Sequence, residues 1–511
     1  MKKTYLIPFI FASLLGKAQK NEDAATFAAT ITGKALHEKL SIVAGPEMEG
    51  RETATAGQRK AAAYIEATFK KIGLKPGNGS SYQQYYPVYR DTLRVSSFAI
   101  NGKPLNWNND YNFSMRSIGG TNVQYSNIVF AGYGIIDEPA NTNDYAGLDV
   151  KGKIVVVLEG APDGYKPVPV PGNRRAGNTA TQIAKQYFAQ SKGVAGLLIV
   201  SKEFPRKKPA PTQGNMYLKA AEANGILLGT ISENAAHALL SQSPDLGFKA
   251  IVDATKGNYI TEIKINIDKK TDTLQSSNVC GLLEGTDKKD EYLVLTGHYD
   301  HLGKQDGLIY YGADDDGSGT VSVLQMAEAF VAAKKSGKAP RRSILFMTVS
   351  GEEKGLWGSE YYSEHPLFPL DKTTADLNTD MVGRVGEAFK GDTSNYVFII
   401  GDDKLSSDLA PLTDSINKTA KLELDRRYND INDPNKFYYR SDHYNFAKMG
   451  VPIIFYFDGV HADYHKPTDT VDKINFTLME KRVRFIFNTA WAIANKERML
   501  KRDIPLNIPG R

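Results

Sequence analysis

Cysteine is almost absent: Cys280 is the only one in 511 residues. A single thiol cannot close an intramolecular disulfide or build a structural zinc site of several thiolates, so a disulfide-stapled scaffold and a zinc-finger class are excluded. Charge of one sign is also scarce. The chain has 63 Lys+Arg against 58 Asp+Glu, a net charge of +5, and the signs are interspersed. Its densest basic stretch, Arg206-Lys207-Lys208, lies between prolines and is only three residues long. Nucleic-acid binding is therefore rejected as the main activity. Beyond the N-terminus no apolar run reaches the roughly 18 residues that a membrane span needs. GxSxG, HExxH, a Walker loop and a GxGxxG after a strand are missing too, so the commonest serine, single-zinc and nucleotide chemistries lack their motifs. The 45 Gly and 23 Pro follow no fixed period, which removes collagen-like and coiled-coil classes.

What remains is a globular, loop-rich chain with 41% hydrophobic residues, long enough for about three domains at roughly 150 residues each. Its first residues place Lys2 and Lys3 before an apolar run from Tyr5 to Leu15, with Gly16 and Ala18 just before Gln19. This is the pattern of a secretory signal peptide cleaved after Ala18, and it predicts export to the periplasm or the medium. Export without disulfides suits a bacterial periplasm or secreted fluid. After signal removal no membrane attachment is expected.

Past the signal, Thr55 to Lys71 reads as an amphipathic helix, with Ala62, Ile65, Phe69 and Ile72 at three- and four-residue steps and Gly73 placed to end it. A polar turn, Pro46 to Arg51, precedes it. From about Asn122 strands and glycines take over: Ile154 to Leu158 is a solid apolar strand, Gln182 to Gln190 a helix, and Leu197 to Val200 a second buried strand. ILLGTIS and a helix around Ala235 to Leu240 follow. Residues 122–256 read as an inserted smaller α/β module. From Asn278 onward strands alternate with helices as in a doubly wound, mostly parallel α/β domain. The predicted strands are Tyr292–Thr296, Ile344–Val349, Ala375–Asn378 and Val451–Phe457, with a helix over Gly319–Ala333.

Acidic and histidine residues collect just after these strands. YLVLTGHYDHLG ends the first with His298 and Asp300, and GADDDGSGT places Asp314, Asp315 and Asp316 before the helix. SILFMTVSGEEKG ends the next strand with Glu352 and Glu353, and DLNTDMVG gives Asp380. VHADYHKPTDT, after the last strand, adds His461, Asp463, His465 and Asp469. Sites in open α/β sheets lie at the carboxyl ends of strands, so these dispersed segments can meet in one crevice. Several carboxylates at close range repel one another, and cations relieve the repulsion. Histidines and carboxylates without thiolates suit a catalytic divalent site, in which a pair of ions acidifies water and a free carboxylate takes its proton. Taken singly, each acid is better read as a cap or turn former, as Asp314, Asp316 and Asp469 illustrate. The joint pattern carries the weight: five of the eight histidines, His298, His301, His443, His461 and His465, lie in these segments, while His37, His237 and His365 receive no role. Pro467 argues for a loop at His461 to His465 rather than a metal-binding helix. Cys280 reads as a small buried residue.

In order and spacing, the G-H-x-D, Gly-x-Asp-Asp, Glu-Glu, strand-end Asp and His-before-Pro/Thr-Asp-Thr motifs resemble the co-catalytic zinc aminopeptidases of the aminopeptidase Y family, relatives of bacterial leucyl aminopeptidases and glutamate carboxypeptidase. The resemblance implies two zinc ions, although other divalent metals also suit such donors. Carried over, it assigns His298 and Asp380 to one ion, Glu353 and His465 to the other, and Asp315 as the bridge. Glu352 becomes the general base and Tyr464 the oxyanion donor. Asp300 stands behind His298, and Ser441 and Asp442 of the RSDH run lie near the site. A cis peptide is implied between Asp315 and Asp316. The module containing VFAGYGI and DVKGKIVVVLEG resembles a protease-associated domain. The implied organisation is a signal peptide over 1–18, an N-terminal peptidase segment over 19–121, the protease-associated domain over 122–256 and the zinc peptidase domain over 257–511. The expected activity is release of N-terminal residues from peptides. A carboxypeptidase or dipeptidase of the same architecture is the alternative, with Arg384, Arg426, Arg427 and Arg440 as candidates for holding a terminal carboxylate. A glutaminyl cyclase-like acyltransferase and a non-catalytic receptor-like protein stand further off.

Overall fold

The computed structural model describes residues 22–115, 121–171, 173, 176–219 and 225–506. The expected signal segment lies outside them. The chain divides into two units, one of residues 1–87 with 275–510 and the other of residues 88–274.

In the first unit, a helical stretch over residues 22–28 is followed by helices α1 (Gly33–Val43) and α2 (Ala56–Ile72). Helix α2 forms where the apolar spacing predicts it. The Thr55 side chain caps its start by accepting from the Gln58 N–H, and Gly73, with φ of 96°, ends it in the left-handed conformation that glycine adopts freely. The remaining elements, in order, are strand β1 (Gly257–Leu283, whose last residues lie here), β2 (Lys288–His298), α3 (Gly319–Lys335), β3 (Arg342–Val349), α4 (Trp357–Glu364), β4 (Thr373–Thr379), β5 (Tyr396–Ile400), α5 (Leu409–Ala420), β6 (Glu423–Asp425), α6 (His443–Lys448), β7 (Ile453–Phe457) and α7 (Phe476–Asn495).

The strands form one sheet in the order β6-β5-β7-β4-β2-β3-β1. Neighbours from β7 through β4 and β2 to β3 run parallel, whereas β5 against β7 and β1 against β3 are antiparallel. This is the mostly parallel α/β fold that the alternating sequence predicts. The central strands are buried along their whole length, which explains why they read as continuous apolar runs instead of alternating ones. Strand β7 starts at Ile453, two residues later than predicted, because Pro452 has no N–H to donate; its carbonyl still accepts from the Asp376 N–H at 2.9 Å. One core groups α1, α2, α3 and α7 with the sheet. Within it Phe330 of α3 packs against Phe346, Phe487 and Trp491.

The second unit is built on further strands. Strand Thr121–Phe130 pairs with residues 257–267 on one side and Ile154–Leu158 on the other, followed by Gly196–Val200, Leu227–Ile231 and Tyr111–Phe113. Helices Gln182–Ser191 and Glu233–Leu239 complete the α/β pattern read from the sequence. The unit extends past the expected 122–256 boundaries at both ends. Residues 257–267 pair with the sheet here, and Tyr111–Phe113 forms its other edge, neither of which local hydropathy reveals.

Candidate metal centre

The carboxyl ends of β3, β2, β4 and β7 lie side by side, and the loops leaving them carry the site. His298 is the last residue of β2, Glu352 and Glu353 form the turn after β3, and Asp380 follows β4 directly. Asp315 comes from the turn Ala313–Ser318 that leads into α3. His465 lies in the loop after β7, with φ of 56°. The peptide between Asp315 and Asp316 is cis.

Asp315 stands between two groups. Its Oδ1 is 3.1 Å from Nε2 of His298, and its Oδ2 is 3.0 Å from Nε2 of His465. On the first side, Asp380 Oδ1 lies 3.6 Å and Glu352 Oε2 3.8 Å from the His298 Nε2. On the second, Glu353 Oε2 lies 3.2 Å from His465 Nε2, and Glu353 Oε1 lies 2.8 Å from Nδ1 of His301. The sequence-predicted ligands His298, Asp315, Glu353, Asp380 and His465 are thus brought together, with Glu352 beside them. His301, one of the clustered histidines but not one of the expected ligands, joins the second group, three residues after His298.

The turn carrying Asp315 is held by its neighbours. Asp469 accepts the N–H groups of Asp314 and Asp315 at 3.0 and 3.2 Å. Asp316 accepts from the N–H of His298, Gly319 and Met381, tying the turn to the ends of β2 and β4. His461 points away from the centre and pairs with Asp314 at 3.2 Å. Ser441 donates to Asp380 Oδ2 at 2.6 Å, and Asp442 accepts from Ser359. Asp300 stands behind His298: its backbone carbonyl is 3.1 Å and its Oδ1 3.7 Å from Nδ1 of the ring, and the carboxylate also accepts from Thr53 and from the Glu352 N–H.

The electrostatics follow from burying so many charges together. Burial works against the charged ring of His465, yet Asp315 and Glu353 lift it to about 10. Burial and Asp315 push the Glu353 carboxyl up, but His301 and His465 outweigh them and bring it down to about 2. Glu352 goes the other way: burial, reinforced by Glu353 and Asp380, holds its carboxyl well above the usual range despite His298. Burial likewise lifts Asp442 to about 7.

The donor chemistry fits divalent cations. Ligand atoms of His298, Glu352 and Asp380 lie within 4.8 Å of one another, as do those of His301, Asp315 and Glu353. Buried atoms His298 Nε2, His301 Nδ1, Asp315 Oδ2 and Glu353 Oε1 have no aligned hydrogen-bond partner, although each lies close to an opposite charge. Buried polar atoms are rarely left so, and donors that converge without bonding to one another suit a shared cation. The imidazole and carboxylate set matches zinc.

Beside this centre is a cavity lined by Asp315, Glu352, Asp380, Arg440 and Tyr464 and by the apolar Met381, Phe437, Phe455, Phe457 and Val460. Tyr464 stacks on His465 with ring centroids 3.9 Å apart, and its hydroxyl accepts from Arg440 at 3.3 Å. Of the four arginines considered for a terminal carboxylate, Arg384 is paired with Asp463, Arg426 with Asp402 and Asp414, and Arg427 with Asp425. Only Arg440 lines the cavity.

Among the described residues no helix is long and apolar enough to cross a membrane. A probable leucine aminopeptidase of Arthroderma otae is 28% identical over 213 residues, which cover 40% of this chain and 55% of that protein. The chain therefore spans about half the length of that curated relative. Among solved structures, an aminopeptidase from Aneurinibacillus sp. strain AM-1 superposes with a TM-score of 0.54 at 18% identity, covering 96% of this chain and 100% of that one. A zinc aminopeptidase from Bacillus subtilis gives 0.51 at 18% identity over 93% and 99%. At these identities the likeness is one of fold. Residues 278–490 match the model of Peptidase family M28.

Proposed function

We propose that this chain is an exported dizinc exopeptidase that removes N-terminal residues from peptides. The observation that carries the reading is Asp315, set between two cation-ready groups with Glu352 on the cavity wall. His298 and Asp380 would hold one zinc, Glu353 and His465 the other, with Asp315 shared. When bound, the ions supply Lewis-acid polarisation of the scissile carbonyl and acidify water.

The remaining roles belong to the chain's own residues. Glu352 takes the proton of the attacking water on its carboxylate and passes it to the leaving amine. The Tyr464 hydroxyl, which burial and nearby Asp315 keep protonated, donates to the oxygen of the tetrahedral species. The cavity lining offers one arginine, Arg440, which already donates to the Tyr464 hydroxyl, so the lining holds no arginine pair to grip a terminal carboxylate. This favours aminopeptidase over carboxypeptidase. The unit of residues 88–274 is read as a protease-associated domain.

The test is hydrolysis of aminoacyl-amides and N-blocked peptides by zinc-loaded protein, with chelator and zinc readdition, alongside Glu352→Gln. Cleavage of free-amine substrates alone, abolished by chelator and by Glu352→Gln, supports the reading. Release of C-terminal residues from N-blocked peptides would make it a carboxypeptidase, and chelator-resistant hydrolysis would remove the metal from the chemistry.

A further inference from the structure

The polar turn before α2 contains Arg51, one of the largest fully buried side chains in the molecule. Burying a guanidinium is costly unless its donors are satisfied, and here backbone carbonyls satisfy them. Nε donates to Tyr299 at 2.7 Å, Nη1 to Val43 at 2.8 Å and Tyr311 at 2.7 Å, and Nη2 to Gly312 at 2.8 Å. These carbonyls come from three stretches of chain: the end of α1, the residue after His298, and the entry to the turn that carries Asp315. The same turn of chain adds further ties. The Gly303 N–H donates to Gly50 at 3.0 Å, Thr53 donates to Asp300 at 2.7 Å, and Glu52 pairs with Lys354, next to Glu353, at 2.9 Å. Gly50 has no room for a Cβ, which would lie 2.4 Å from the Gly303 carbonyl oxygen.

We propose that Arg51 is a positioning residue of the metal centre: its planar fork fixes the segments carrying His298 and Asp315 relative to each other, so zinc retention depends on a residue far outside the matched stretch 278–490. The inference rests on the dizinc reading above. A planar guanidinium can hold carbonyls on several sides at once, which a lysine ammonium cannot reproduce even though it keeps the charge. The charged groups that act on it most strongly are the carboxylates of Asp300, Asp469, Asp315 and Asp316. A purely electrostatic role therefore makes the opposite prediction to a positioning role, because removing a cation beside an acidic site tightens zinc binding.

The experiment uses the full chain, stripped of metal, as wild type, R51K and R51M, with zinc affinity read by competition against a chromophoric chelator well below each protein's Tm. Positioning predicts weakening of at least one site by about tenfold or more in both variants, the scale typical of groups that orient metal ligands. Unchanged affinity in R51K, or tighter binding in R51M, overturns it, and a lowered Tm with unchanged affinity reduces Arg51 to a fold-stabilising residue. Should R51M not fold, R51K decides alone. Wild-type protein that takes up no zinc overturns the metal reading itself and this role with it, whereas wild-type uptake with unaltered R51K uptake overturns this role only.

Discussion

Nε2 of His465 lies 3.0 Å from Oδ2 of Asp315, a contact in which each group supports the charge of the other. It makes metal uptake sensitive to pH. With its ring lifted to about 10, His465 is protonated at neutral pH in the metal-free chain, and a zinc ligand must be deprotonated. Zinc binding should therefore release at least one proton, and its apparent affinity should climb about tenfold per pH unit per proton released, from pH 6 to 8. Calorimetry in buffers of different ionisation enthalpy measures that count, and a binding heat independent of buffer would contradict the ion pair.

Ser441 donates to the oxygen of Asp380 that faces away from His298. Removing the hydroxyl in Ser441→Ala frees that carboxylate to rotate. Zinc affinity is expected to drop about 10- to 100-fold with little change in Tm. Equal affinity in the variant and wild type would mean that Asp380 is fixed by other contacts.

Gly312 has φ of 55°, and a Cβ there would lie 2.3 Å from the Asp315 carbonyl oxygen and 2.4 Å from the His301 ring. Gly312→Ala must displace one of the two or strain its own backbone. We expect a clear loss of Tm together with weaker zinc binding, whereas Gly337→Ala, with φ of 78° and open space around it, carries only the backbone strain. Equal effects of the two substitutions would argue against tight packing at the Asp315 turn.

Acid stability has a separate source in His443. Burial pushes its ring down to about 3, and its Nε2 donates to the Tyr438 carbonyl at 2.8 Å. An unfolded histidine titrates near 6.5. Between these values the unfolded chain takes up a proton that the folded chain refuses, so this contribution is full above about pH 6.5 and is lost as pH falls toward 3. Urea unfolding across that window should show a smaller pH slope in His443→Phe than in wild type, by up to one proton. Identical slopes would place the acid sensitivity elsewhere.

Most strand ends were legible because an apolar run has its functional residue at or shortly after its end, as LVLTGH and ILFMTVSGEE demonstrate, although β4, TTADLNT, is only partly apolar and His465 follows β7 at a distance. Strand β5 was not placed, although NYVFIIG carries a similar run, because no site residue follows it to draw notice. The start of β7 was set by the missing N–H of Pro452 and not by hydropathy. At the site, motif order pointed to the residues that converge. It could not reveal that the Asp300 carboxylate also serves Thr53 and the Glu352 N–H, nor that Arg51 donates to Gly312 at the entry to the Asp315 turn. The Thr53–Asp300 and Arg51–Gly312 contacts join residues 247 and 261 positions apart, and no local pattern encodes them.

The central claim is that Asp315 serves two ions at once, and zinc titration of metal-free protein by calorimetry tests it most directly. The account predicts two zinc ions per chain in wild type and in Glu352→Gln, with neither bound tightly in Asp315→Asn. One ion in wild type, or two tightly held in Asp315→Asn, would contradict it.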